Sequence, residues 1–242
     1  MSMFSTFSKD GLEDSKDVLG GNFDPVTTDV YDATIKVVYI GNSARSKAQS
    51  ATVIATLEGG KEFRETIWFT SAKGVNYYAD KKDASKRQPL PGFTTIDDLC
   101  LLATGHELSE QDTENKVLKI YSAAVKEEVP TEVPTISDLA GKQVKLAIQR
   151  QIVDKTKAND AGEYVPTGET RMENTIAKVL HAETGRTVPE YRHEVDPAQF
   201  MPAWIERNRG KDRNRSVGKK DNAGGIGSSG TGRPEAKKSL FG

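Results

Sequence analysis

The 242-residue sequence predicts a mainly β fold: a barrel with one short helix, long loops and a flexible C-terminal tail. Three observations carry that expectation. Apolar and polar residues alternate at period two between residues 31 and 57, the pattern of strands buried on one face. Residues 93–103 switch to helical spacing. Residues 223–231 are rich in Gly and Ser, a composition that buries too little apolar area to offset its ordering entropy.

The elements follow in order. Residues 1–29 form a polar arm with scattered Phe4, Phe7, Leu12, Val18 and Leu19, expected to pack on its own body or on a neighbour. Tyr31, Ala33, Ile35, Val37 and Tyr39 define one strand face, with Asp32, Thr34 and Lys36 opposite. After a polar loop at 41–47, Ala51, Val53, Ala55 and Leu57 mark a second strand. Glu58-Gly59-Gly60-Lys61 is a tight turn, since glycine supplies the positive φ that a hairpin needs. A return strand at 63–70 completes an antiparallel meander. Residues 71–92 are too long for an ordinary connector, so a functional loop or small subdomain is expected there. It stops at Pro89-Leu90-Pro91-Gly92.

In the helix at 93–103, Thr95 and Asp98 have capping-box spacing, with Asp in place of the usual Glu or Gln. Ile96, Leu99, Cys100 and Ala103 form its apolar face, and Gly105 ends it. A strand follows at 117–125. Residues 129–134, with two prolines, read as a stiff connector, because proline cannot donate to a ladder. Residues 137–141 read as a turn or one helical turn. Val144, Leu146 and Ile148 alternate along a strand at 142–153, which a loop at 155–164 joins to a partner at 174–180. A turn at 184–187 leads into a last short strand near Val188, and a short helix at 200–207 carries Trp204 and Ile205. The expected organisation is an arm (1–29), a body (30–207) and a basic tail (208–242).

Net charge is −1, from 34 Lys+Arg against 35 Asp+Glu, but its distribution is uneven. Residues 205–242 hold ten basic and four acidic side chains, +6, which leaves −7 on residues 1–204. Such asymmetry points to a nucleic-acid or protein partner. No apolar run approaches the roughly 18 residues of a membrane span. The opening residues lack the basic and apolar regions of a signal peptide. A single cysteine, Cys100, excludes an intramolecular disulfide and suits a reducing compartment.

No catalytic constellation emerges. His106, His181, His193 and Cys100 are far apart in sequence and lack metal-ligand spacing. Gly59-Gly60-Lys61 lacks the flanking residues of a P-loop. Asp97-Asp98 suits a helix dipole better than a cation, and Cys100 on an apolar face is an inert thiol. Neither enzyme activity, a metal nor a cofactor is expected.

The positive signal is aromatic residues among basic ones. Binding a single strand without reading its sequence requires cations along the backbone path and flat π surfaces for bases. Lys73, Lys81, Lys82, Lys86 and Arg87 surround Tyr77 and Tyr78. Arg64 and Trp68 share one face of the neighbouring strand, opposite Phe63, Ile67 and Phe69. Lys145 and Arg150, with Lys155 and Lys157, form a second candidate patch, and Lys36 and Tyr39 a weaker one. The competing readings are a register in which Trp68 is core, tyrosines that merely anchor a loop, and lysines that form an ordinary solvated face.

A meander, an intervening helix and a closing strand pair fit an OB-fold, a five-stranded, partly open Greek-key barrel that binds single strands. Asp10-Gly-Leu-Glu-Asp14, Tyr31-Asp-Ala-Thr-Ile-Lys-Val-Val-Tyr39, Leu90-Pro-Gly-Phe-Thr-Thr-Ile-Asp-Asp98 and Leu108-Ser-Glu-Gln-Asp-Thr-Glu114 resemble single-stranded DNA-binding proteins of Schitoviridae-type bacteriophages. The resemblance extends to about Arg209. It implies a protein without cofactor or turnover that coats single-stranded DNA during replication and recombination in the cytoplasm of an infected bacterium. It also implies a C-terminal tail that recruits replication, recombination or transcription proteins. Bacterial single-strand-binding proteins end in an acidic tip with a hydrophobic pair. Here Lys237 and Lys238 precede Ser239, Leu240 and Phe241, so the tail suits an acidic groove instead. Two other readings remain: a virion structural or assembly protein with a β-barrel body, and a transcription regulator that grips duplex DNA through the basic tail. Oligomeric state stays open, including a monomer that binds cooperatively.

Overall fold

The computed structural model describes residues 25–217 apart from 81, 84, 123–124 and 160–163. The expectations for residues 1–24, for Lys81 and for the tail from 218 onward, Lys237, Lys238, Ser239, Leu240 and Phe241 included, lie outside the described residues. The chain is mainly β, with a large antiparallel sheet and short helices. No helix among the described residues is long and apolar enough to cross a membrane.

Strands β1 (Asp29–Asn42), β2 (Gln49–Leu57) and β3 (Glu62–Trp68) form the expected meander. Gly59 and Gly60 take φ of 85° and 82° in its second turn, conformations that cost a residue with Cβ but not glycine. One face assignment is corrected. A register shift between Ile35 and Val37 turns Ala33, Ile35 and Val38 inward, all buried, and moves Val37 and Tyr39 to the outer face. One extra residue reverses every later side chain, which simple alternation does not anticipate.

The long stretch after β3 contains a separate two-stranded ribbon, β4 (Tyr77–Ala79) with β5 (Arg87–Pro89). Helix α1 (Pro91–Thr104) then starts two residues before the expected position. Proline at the first helical position is preset for the helix and loses no needed donor. Thr95 does not cap it; its hydroxyl donates back to the Pro91 carbonyl at 3.0 Å. Gly105 ends α1 in a left-handed conformation, its N–H on the Leu101 carbonyl.

The prolines at 130 and 134 do not make a connector. Strands β6 (Thr113–Ser122) and β7 (Glu127–Ile136) pair along their whole length, with Lys119 opposite Pro130 and Asn115 opposite Pro134. Four residues apart, both prolines turn their missing N–H to the same edge, so the ladder on the other edge survives. A 3₁₀ turn at Ser137–Leu139 leads into β8 (Gln143–Ala158), which pairs with β9 (Tyr164–His181). This hairpin is longer than expected, and Lys155 and Lys157 lie in strand where a loop was expected.

The sheet order is β3-β2-β1-β8-β9. Strand β8 borders β1 from Asp29 to Thr34, and β7 meets the same edge at Tyr39. The two outer strands meet through a side chain: the Glu65 carboxylate of β3 accepts from Thr175 Oγ1 (2.7 Å) and Ile176 N (2.6 Å) of β9. Ile35, Val38, Val53, Leu146, Ile148 and Leu180 fill the core with Ile96 and Leu99 of α1. Each such aliphatic side chain contributes about 1.5–3 kcal/mol on burial.

The last strand expected near Val188 is a helix, α2 (Val188–Arg192). Its signal was local: Thr187 and Glu190 form a capping box, in which the carboxylate accepts from Thr187 N at 2.8 Å. Helix α3 (Phe200–Asn208) matches the expected one. The chain then does not leave the body. Gly210 N donates to Thr28 O, Thr28 Oγ1 donates to Lys211 O, and β10 (Arg213–Asn214) pairs in parallel with β8 at Gln151 and Ile152. The boundary expected after Arg207 falls inside this packing, and residues 208–217 are not the flexible segment that their composition suggested.

Candidate nucleic-acid interface

The candidate site begins on β3. Phe63 and Ile67 point into the core, whereas Arg64, Thr66 and Trp68 face outward, with Trp68 51% exposed. The register lays out three outer rows across the meander: Gly41–Ser50–Trp68, Tyr39–Thr52–Thr66 and Val37–Ile54–Arg64. Thr52 and Thr66 hydrogen-bond through their hydroxyls at 2.8 Å. Trp68 and Arg64 thus rise from an edge strand beside Ser50 and Ile54 of β2, which are themselves buried. A large aromatic ring on such a face keeps its π surface open to a ligand.

The β4–β5 ribbon is rooted beside Trp68. Leu90 N donates to Asn76 O at 2.9 Å and closes its base. Gly92 sits so close to β3 that a Cβ there would lie 2.1 Å from the Trp68 carbonyl oxygen. Tyr77 is half-buried, with the Arg87 guanidinium 4.4 Å from its ring centroid, a cation–π contact. Tyr78 projects from the opposite ribbon face and is 48% exposed. Tyr77 is therefore partly an anchor, and Tyr78 is the more available ring.

At the ribbon's turn, Asp80 accepts from Lys82 N (2.8 Å) and Asp83 N (3.3 Å). The Lys82 backbone bond leads the contacts that hold the Asp80 carboxyl below its ordinary value, and the Ser85 hydroxyl leads those that hold Asp83 down. Both carboxylates shape the turn, while Lys82 and Lys86 are exposed, Lys86 3.7 Å from Asp83. Lys73 is exposed in the turn after β3, which is tied to the β1–β2 loop through Lys47 N on Ala72 O. The chain thus brings Arg64, Trp68, Lys73, Tyr77, Tyr78, Lys82, Lys86 and Arg87 onto β3 and the ribbon that follows it.

Lys145 and Arg150 do not join that cluster. They lie on β8, which β1 and β2 separate from β3. Lys145 pairs with Asp32, and Arg150 grips Asp212 with two hydrogen bonds of 2.6 and 3.1 Å. The Asp212 bond raises the Arg150 guanidinium pKa. Lys155 is paired with Glu169 at 3.0 Å. Lys145, Arg150 and Lys155 of this second patch thus spend their charge internally, and Asp212 comes from the segment that sequence assigned to the tail.

Sequence reasoning missed one flank of the site. A cleft of about 370 Å³ is lined by Arg64 and Thr66 of β3 together with Met172 and Asn174 of β9. Met172 falls in the part of β9 that the alternation from 174 onward excluded. Glu65 also borders the cleft, and burial pushes its carboxyl above the ordinary range. Burial likewise pushes the Cys100 thiol up to about 12, in keeping with the inert cysteine expected on α1. Among the described residues no group of three or more His, Cys, Asp or Glu side chains is placed to hold a metal ion. No protein-family model matches the chain, and no curated protein matches it.

Proposed function

We propose that the chain is a non-catalytic single-stranded DNA-binding protein of the Schitoviridae phage type, which coats DNA with little sequence preference in the infected host's cytoplasm. The observation that carries this reading is Trp68, exposed on an outer sheet face in line with Arg64 and at the root of a ribbon bearing Tyr78 and the Tyr77–Arg87 pair. Strand order supports an OB-type barrel. With the β6–β7 hairpin set aside as an insertion, β1, β2, β3, β8 and β9 follow the five-strand order, and α1 lies between the third and fourth. The β2–β3 face is the one that such barrels use for single strands.

In this reading Arg64, Lys73, Lys82 and Lys86 neutralise phosphates while Trp68 and Tyr78 stack bases. The acidic body binds through this local strip and not through its overall field. The tail around Lys237, Lys238, Leu240 and Phe241 recruits a protein partner through an acidic groove.

Titration with oligo-dT at two salt concentrations tests the reading. Affinity is expected to fall steeply with salt. Trp68→Ala is expected to weaken binding by about 1–3 kcal/mol, roughly five- to 150-fold. Absence of any complex at low salt, or a Trp68→Ala variant that binds as tightly as the unmodified chain, overturns it. DNA-independent assembly without any affinity for oligo-dT would favour the virion structural alternative.

A further inference from the structure

The cleft beside Arg64 exposes an apolar side chain that the fold leaves uncovered. No register shift interrupts the pairing of β9 with β8 between Met172 and Ile176, so Met172, Asn174 and Ile176 share one strand face. Ile176 is buried in the core. Asn174 is occupied by Val26, accepting from its N–H at 2.7 Å and donating to its carbonyl at 2.8 Å. Met172, next in that row, is 51% exposed and lines the cleft with Arg64. The apolar face of β9 thus runs on past the part that the body covers.

The carboxylates that line the cleft are already engaged. Glu62 pairs with Lys36 at 2.7 Å, and Glu65 accepts from Thr175 and Ile176. Glu173 accepts from Gln151 and Arg171, each at 3.1 Å. Among the described residues no carboxylate pairs with Arg64. An uncommitted guanidinium beside an uncovered thioether suits a ligand that is anionic at one end and flat and apolar at the other. Addition of a peptide strand along β3 is obstructed here, because Pro25 and Val26 line the same cleft and Glu65 bridges to β9.

We infer that this cleft seats one further nucleotide of the bound single strand, its phosphate on Arg64 and its base against the Met172 thioether. The inference rests on the single-strand-binding reading and carries its strip from the outer face of β3 onto β9. A volume of about 370 Å³ stands at the low end of the roughly 300–1,000 Å³ of small-ligand sites, which suits one nucleotide. Trp68 and Arg64 lie four residues apart on β3, about 13 Å at ordinary strand rise, so one strand passes from the indole to the cleft. A polarizable thioether makes a favourable contact with an aromatic ring, and the unbranched methionine side chain adapts to rings of different size. Every base offers such a ring, so the seat adds affinity without reading sequence.

Methionine oxidation tests this site in the unmodified full chain. Hydrogen peroxide transfers one oxygen atom to the thioether sulfur, leaving the sulfoxide and water. Peptide mass mapping should show Met172 oxidised several-fold more slowly in the oligo-dT complex than in the free protein. Met201, which lies against Gly185 in the turn after β9, is the internal reference, and its rate should not change. Met172→Gln is expected to weaken oligo-dT binding by about two- to tenfold, the range of a sulfur–aromatic contact. Met172→Leu, which keeps an apolar surface of similar size, should lose less. Equal oxidation of Met172 with and without bound DNA overturns the inference, as does a Gln variant that binds as tightly as the unmodified chain. If the complex forms and weakens on Trp68→Ala while Met172 stays indifferent, the cleft alone is refuted. If no complex forms at low salt, the underlying reading falls and the cleft with it.

Discussion

Lys178→Met is expected to destabilise the fold by about 3 kcal/mol or more at neutral pH, the range for removing one partner of a buried ion pair. Lys178 of β9 donates to the buried Asp98 of α1 at 2.6 Å. That contact ties the helix to the strand which also meets β3 through Glu65. Burial is the leading influence on Asp98 and pushes its carboxyl up, although Lys178 pulls the other way. Without the lysine the carboxylate is buried and uncompensated, so its pKa climbs further.

The pH dependence has a definite sign. A carboxyl whose folded-state pKa lies above its unfolded value holds its proton more tightly in the folded protein. Its stabilising contribution is complete below the unfolded pKa and is lost as pH rises through the folded one. The Lys178→Met penalty should therefore be largest at neutral pH and shrink as pH falls through the raised Asp98 value. Urea unfolding at a series of pH values measures both quantities. Asp98→Leu combined with Lys178→Met should recover most of the loss, since a packed apolar pair often replaces a buried ion pair at little cost. A single-variant penalty below about 1 kcal/mol, or one unchanged on acidification, would show that Asp98 does not depend on its partner.

Much of this architecture was legible because it is encoded locally. The meander follows from period-two alternation and the Gly59-Gly60 turn, and the end of α1 from Gly105. Most of the misreadings have a different cause: they required knowledge of what lies across the sheet, whereas the one at Val188 overlooked a local signal. Alternation through Tyr39 could not reveal the shift after Ile35, because a bulge is defined by its partner strand. Pro130 and Pro134 argue against a strand only if both edges must pair, and here one edge does not. Val188 has β propensity, but Thr187 and Glu190 supply two capping bonds that outweigh it. The Arg64–Trp68 face was legible from spacing alone. The engagement of Arg150 was not, because its partner Asp212 lies 62 residues away in a segment whose composition suggested a tail.

Gly92→Ala separates local propensity from packing, and the two predict opposite signs. Glycine to alanine within a helix ordinarily stabilises by up to about 1 kcal/mol. At Gly92 the added methyl would stand 2.1 Å from the Trp68 carbonyl oxygen and 3.0 Å from Ile67 Cγ2. Backbone cannot yield as a flexible side chain can, so the start of α1 must move away from the end of β3. The expected cost is about 2–3 kcal/mol, the upper range for overpacking, read from the urea midpoint. A neutral or stabilising effect would mean that the close approach is not a constraint.

The same substitution tests whether the site depends on a rigid frame. Gly92 touches the residue proposed to stack on bases, and the ribbon carrying Tyr78 leaves and rejoins the body around that point. If stacking requires Trp68 to be held in place, Gly92→Ala should weaken oligo-dT binding even where the variant is fully folded. Its effect should largely vanish in a Trp68→Ala background, because two changes acting through one contact are not additive. No effect of Gly92→Ala on oligo-dT binding in the folded variant would mean that Trp68 does not need this support and that the β3–α1 contact serves stability alone. A loss that persists without Trp68 would instead shift the weight of binding to Tyr78 and the ribbon's lysines, whose placement depends on the same joint.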